Sequence, residues 1–269
     1  DIRISAMGGA GLASVGPGSS PSSLMMNPAL NRAVGGTTAE LGHSFWFANS
    51  GIEFLGVTFP AADWNLAFLA TSANVSGFEY RDNRATDDPI DIFGANYLAA
   101  GINAAKLISP KLTVGIQANY LYEKIFYQSA TGFAFSAGAQ YQWSERLSLG
   151  AALNHLGFMR ELEHESTPLP SVVRVGGAYA APLGASPFGI QVTADGGYYF
   201  NDYAFAAGGL ELDYRQSVFL RGGAMYSPEQ VRPALGFGIH WDRFTASYSL
   251  IFPDDAMDMP QQLSLTVQL

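Results

Sequence analysis

The chain has 269 residues, of which only 14% are charged, and 23 acids against 14 bases give a net charge of −9. It has no block of basic residues and no cysteine, which excludes a nucleic-acid partner, disulfides and thiolate metal sites. No run of ~18 apolar residues occurs and no basic leader precedes an apolar one, so no transmembrane helix is expected and the chain reads as a mature form whose signal peptide has gone.

The first element is not a regular one. Residues 6–30, AMGGAGLASVGPGSSPSSLMMNPAL, contain five glycines, three prolines and no charge. Such a segment is too rich in Gly, Ser and Pro for a helix or strand, yet too apolar for a solvated tail. It needs shelter, and its Leu12, Val15, Leu24, Met25 and Met26 need shielding from water.

From residue 38 onward period-2 alternation recurs in segments of about ten residues. Fourteen strands are predicted, at 38–48, 52–60, 64–77, 95–108, 112–124, 131–143, 147–157, 171–182, 188–200, 203–215, 217–227, 232–242, 244–252 and 261–269. In the sixth, Phe133, Phe135, Ala137 and Ala139 oppose Ala134, Ser136, Gly138 and Gln140. In the ninth, Ile190 and Val192 oppose Gln191, Thr193 and Asp195, and in the last Leu263, Leu265 and Val267 oppose Ser264, Thr266 and Gln268. Connections at 61–63, 109–111, 144–146, 183–187, 216 and 243 are short, whereas those at 78–94, 158–170, 228–231 and 253–260 are longer. Tight turns at one end and loops at the other are the pattern of an even-numbered up-and-down membrane barrel. A soluble sandwich would carry more charge on its strands. Aromatics near strand ends (Tyr120, Tyr122, Tyr141, Trp143, Tyr198, Phe200, Trp241) suit interfacial girdles.

Fourteen strands ~4.8 Å apart, tilted by ~40°, enclose a cylinder roughly 28 Å across, too wide for side chains alone to fill. The division expected is therefore a plug over 1–36 inside a barrel over 37–269. Gly8, Gly9 and Gly11 supply tight turns, Leu24, Met25 and Met26 the apolar contacts, and Asn27-Pro28-Ala29 the exit toward the first strand.

The order of AMGGAG (6–11), NPA (27–29), LTVGIQANYLYEKI (112–125), ALNHLGF (152–158), LPSVVRVGGAYAAPL (169–183), GLELDYRQSVFLRGGAMY (209–226) and LGFGIHWDRFTASYSL (235–250) resembles the FadL-like outer-membrane barrels, and especially their PorV/PorQ branch. The resemblance implies an all-β, 14-stranded antiparallel transmembrane barrel with an N-terminal hatch, in the outer membrane of a diderm bacterium and surrounded by its lipids. It also implies two competing roles. PorV/PorQ proteins are associated with type IX secretion and surface attachment, so the first expectation is an anchor or adaptor for an exported or surface protein. The alternative is FadL-like transport of hydrophobic small molecules, with a ligand in the lumen.

Candidate site residues serve each role. Acids gather in the longer loops, at Asp82, Asp87, Asp88 and Asp91, at Glu161, Glu163 and Glu165, and at Asp254, Asp255 and Asp258. Such a rim suits a basic partner or divalent cations, though a solvated rim is the simpler reading and no metal site is assigned. Inward-facing charges fall on four successive strands, Arg174, Asp195, Glu211 and Arg221, read as a lumen network. With the turn centred on Gln216, Glu211 and Arg221 stand opposite each other. No cofactor and no enzymatic activity are expected. His155 is read as facing outward beside Asn154, and no serine pairs with it as nucleophile and base.

Overall fold

The computed structural model describes residues 1–14, 20–32, 36–46, 50–84, 87–162, 165–183, 186–200, 202–253 and 259–269. The alternating segments form β1 (Thr38–Phe45), β2 (Gly51–Ala61), β3 (Trp64–Tyr80), β4 (Asp91–Ser109), β5 (Leu112–Ile125), β6 (Gln128–Gln142) and β7 (Leu147–Met159). A two-residue-per-strand hairpin follows, β8 (Glu161–Leu162) with β9 (Glu165–Ser166). Then come β10 (Val172–Pro182), β11 (Phe188–Tyr199), β12 (Ala204–Tyr214), β13 (Val218–Tyr226), β14 (Val231–Trp241), β15 (Phe244–Ile251) and β16 (Gln261–Gln268). All but β8 and β9 belong to one closed antiparallel barrel of fourteen strands. Closure runs from Thr38 opposite Gln268 to Phe45 opposite Gln261.

Alternation decides which side of the wall each residue meets. Phe133, Phe135, Val192 and Leu265 are 45%, 52%, 46% and 49% exposed, while Ala134, Thr193, Ser264 and Thr266 are 2%, 2%, 7% and 9%. An outer belt this apolar needs hydrocarbon as its solvent, and a closed barrel leaves no unpaired strand edge there. Trp64, Tyr141, Trp143, Tyr214 and Trp241 stand exposed at the tight-turn end of the belt. Their amphipathic rings suit the interface between lipid and water. Three of the tight turns hold non-glycine residues in the left-handed region, Ala62, Arg215, Gln216 and Asp242, with φ of 53°, 52°, 54° and 54°. Positive φ lets a short hairpin follow the right-handed twist of its strands.

Two strands outrun the alternation. β3 and β4 continue to Tyr80 and back to Asp91, beyond the expected 77 and 95, because a bulge between Ser76 and Phe78 lets pairing resume at Phe78 opposite Phe93. Gly77, at φ 90°, takes the strained position. A bulge reverses which side the next residues face, so period-2 reading stops there although the strand does not. β3 and β4 reach 17 and 19 residues against 8 in β1, β15 and β16, so the wall is tallest on that side. At ~3.4 Å per residue and a tilt of ~40° the longest strands rise about 50 Å, twice a ~25 Å apolar band. The connection expected over 125–130 is a two-residue turn, Phe126-Tyr127. β1 ends at Phe45, short of the expected 48; Trp46 lies beyond the strand, and 47–48 lie outside the described residues.

Candidate lumen site

The described residues before β1 lie against the inward faces of the strands and include short helical turns, α1 (Ile2–Ala6) and two 3-10 turns, Pro21–Met25 and Pro28–Leu30. Asp1 Oδ1 caps α1 by accepting from Ile4 N at 3.0 Å. Arg3 then grips β12: its Nε and Nη2 donate to the two oxygens of Glu211, both at 2.8 Å. Arg221 on β13 donates from Nε to Glu211 Oε2 at 2.6 Å, and Glu211 and Arg221 are register partners. All three side chains are buried. A bidentate carboxylate shared by two guanidiniums is among the stronger pairings available to side chains.

The chain next bends at Gly8 and Gly9, where φ is 69° and 84°. Here the wall is as bare as the segment. The main chain of Met7 rests on Gly209 of β12 and Gly223 of β13, and a Cβ on Gly223 would run into the Met7 carbonyl. Beyond the bend, Gly11 N and Leu12 N donate to Asp195 Oδ2 at 2.7 and 2.9 Å. Thr193 Oγ1 donates to Ala10 O at 3.2 Å, while Ser148 Oγ and Gln140 Nε2 donate to Ala13 O at 2.7 and 3.1 Å. Gln191 Nε2 donates to Ser14 Oγ at 3.2 Å.

The segment's second half is fastened in the same way. Glu40 on β1 accepts from Ser22 N and Ser22 Oγ at 2.8 and 2.9 Å. Asn27 Nδ2 donates to Leu12 O at 2.9 Å and to Ala139 O at 3.2 Å, tying the two halves to each other and to β6. Asn103 Nδ2 donates to Pro28 O at 3.1 Å, and Asn65 Nδ2 to Asn31 O at 3.1 Å. Leu24 and Leu30 pack on Phe54, Ala67 and Leu69. An irregular segment has no ladder of its own to satisfy its backbone groups, so wall side chains supply the partners.

The four inward charges do not join into one network. Glu211 pairs with both Arg221 and Arg3, Asp195 holds the Gly11-Leu12 amides, and Arg174 stands apart. Its Nη1 donates to Met26 Sδ at 2.9 Å, its Nη2 to Tyr199 OH at 3.2 Å, and the guanidinium lies 4.7 Å from the centre of the Phe205 ring. Arg3 and Glu40 were missed by the sequence reading; Glu40 carried a signal, as an acid at an inward position of an otherwise uncharged stretch of β1.

His155 is a correction. A second bulge places Asn154 and His155 together opposite Ser136, so pairing jumps from Phe135–Leu156 to Ala137–Leu153. His155 takes φ 60° and, instead of facing lipid, lines a lumen cavity of about 190 Å³ with Asn154, Val172, Arg174, Met25 and Met26. Of the loop acids, Asp91 Oδ2 accepts from Tyr127 OH at 3.3 Å, Asp87 O accepts from Arg81 Nη2 at 3.3 Å, and Glu161 and Glu165 lie on β8 and β9. Asp88 is also among the described residues, whereas Glu163, Asp254, Asp255 and Asp258 lie outside them. Among the described residues no three acids or histidines stand close enough to hold a metal ion.

No family model matches the chain and no curated protein does. Solved structures do. The CymD monoaromatic hydrocarbon channel is 12% identical with a TM-score of 0.73, over 100% of this chain and 97% of that one. The toluene transporter TodX of Pseudomonas putida is 13% identical with a TM-score of 0.70, over 100% of this chain and 98% of that one. A FadL homologue of Pseudomonas aeruginosa is 12% identical with a TM-score of 0.56, over 99% and 97%. At such identities the likeness is one of fold, and the fold is that of the FadL-like outer-membrane barrels.

Proposed function

We propose that this protein is an outer-membrane channel that passes small hydrophobic molecules, with residues 1–36 serving as a hatch in a barrel formed by 37–269. The observation that carries the reading is the floor of the lumen cavity. Met25, 36% exposed, and Met26 line this cavity above a segment whose other described apolar side chains are buried. Methionine adapts to varied apolar surfaces, and an apolar floor below a tall wall gives such a solute a place to rest.

Two of the structures of like fold are described as a hydrocarbon channel and a toluene transporter, which favours transport over the adaptor role that the PorV/PorQ resemblance puts first. The reading is tested by uptake. Cells that lack channels of their own and express this chain should deplete dissolved toluene faster than cells carrying an empty vector. Equal rates, together with recovery of a stoichiometric exported protein bound to the barrel, would return the adaptor role to first place.

A further inference from the structure

The cavity above Met25 and Met26 has a polar corner that a hydrocarbon would leave unused. Asn154 on β7 is 2% exposed; its Nδ2 donates to Met25 O at 3.3 Å, which fixes the amide's orientation, and its Oδ1 is buried without a hydrogen-bond partner. Arg174 projects beside it, since Val172 is the register partner of Asn154 and Arg174 lies two residues along the same face of β10. Among the described residues Arg174 has no carboxylate within ion-pair distance; its hydrogen bonds go to a thioether and a phenol. The corner thus offers unused donors on a guanidinium and an unpaired acceptor on an amide.

We propose that the preferred ligand is a compact aromatic carrying one hydroxyl, a phenol or an aromatic alcohol, whose oxygen accepts from Arg174 while its hydrogen is donated to Asn154 Oδ1. The inference rests on the transport reading and narrows its substrate class. Two comparisons select the hydroxyl. A bare hydrocarbon leaves Asn154 Oδ1 unpaired and strips water from the guanidinium, which buried polar groups do not tolerate cheaply. A carboxylate has only acceptors, so it places an oxygen lone pair against the amide oxygen. Size sets the rest of the molecule. A cavity of roughly 150 Å³ takes one benzene ring, so about 190 Å³ suits a single substituted ring. The Met25 and Met26 sulfurs suit its edge.

Three molecules with one body separate these cases: 4-methylphenol, 1,4-dimethylbenzene and 4-methylbenzoate, titrated into the full chain in lipid nanodiscs, with empty nanodiscs subtracted. The phenol should bind about tenfold tighter than either of the others. Asn154→Leu and Arg174→Gln should each remove most of the preference for 4-methylphenol over 1,4-dimethylbenzene, by weakening the phenol and relieving the penalty on the hydrocarbon. Persistence of the barrel in dodecyl sulfate without heating reports that each variant folds, and Arg174→Lys, which keeps a donor, should retain part of the preference. Equal binding of phenol and hydrocarbon, tighter binding of the benzoate, or a preference that survives both substitutions overturns the inference and leaves transport of hydrophobic solutes standing. Binding of none of the three above empty nanodiscs, with no uptake of toluene, overturns both.

Discussion

Glu211 shows what one residue does in this barrel. It holds Arg3 from the segment and Arg221 from the wall, all three buried. Glu211→Ala leaves two guanidiniums facing each other without a counter-charge, a loss on the order of 3–5 kcal/mol for a broken buried pair. Arg3→Met keeps the Glu211–Arg221 pair and should cost less. The temperature at which the folded barrel converts to its unfolded form in dodecyl sulfate orders the two, and a Glu211→Ala protein as heat-resistant as Arg3→Met would contradict the shared role. The cross-strand pair was legible from the turn centred on Gln216, because register follows from counting along a hairpin. Arg3 was not, because its partner lies 208 residues away.

Residues 192 and 193 make the same point on the two faces of β11. An arginine on the lipid face at mid-depth costs ~2–4 kcal/mol, so Val192→Arg should cut the yield of membrane-inserted barrel sharply. The sequence alone suggests that Thr193→Arg is tolerated, because it faces the lumen. The structure changes that expectation: Thr193 is 2% exposed and donates to Ala10 O, so an arginine there must push the segment aside. Thr193→Arg should insert normally and conduct ions. Poor insertion of both variants to the same degree would show that the face assignment is wrong.

Among the elements, strands and short turns were legible wherever alternation ran unbroken, and the errors cluster at two bulges. At Ser76–Phe78 the reading stopped too early, and at Asn154–His155 it turned a lumen residue toward lipid. Each is a place where one extra residue shifts the period, and no composition signal marks His155 as that residue. The N-terminal segment is the opposite case. Its glycines and lack of charge over 6–30 pointed to shelter, but which wall residues receive it depends on contacts between distant strands. Gln140 and Gln191 meet the segment as expected of inward polar residues, whereas Gln117 donates to Asn119 instead. Gly115 on β5 lies under the Pro28 carbonyl, with no room for a Cβ. Gly115→Val should leave the barrel intact, since valine suits a strand and the atoms it would meet first belong to Pro28 and Ala29, yet unseat Pro28 and open a leak in lipid bilayers. A variant as ion-tight as the parent would show that the segment does not seat there.

At the scale of the whole molecule, the transport reading requires a lumen roughly 28 Å across to be sealed against ions and still admit apolar solutes. Fastening a glycine-rich segment costs about 1–2 kcal/mol of backbone entropy per residue, which the wall's hydrogen bonds and the burial of Leu12, Leu24 and Leu30 offset. Motif order in the sequence carried the fold but not the cargo. The adaptor and transport roles need the same plugged barrel, and the cavity that separates them is assembled from β7, β10 and the segment together.

Planar-bilayer conductance tests the central claim, that residues 1–36 seal a barrel formed by 37–269, most directly. The full chain should be silent. The chain lacking residues 6–26, which removes the contacts to Asp195, Thr193, Gln140 and Glu40, should insert and show stepwise ion currents. A deleted chain that inserts and stays as silent as the full one would contradict the account.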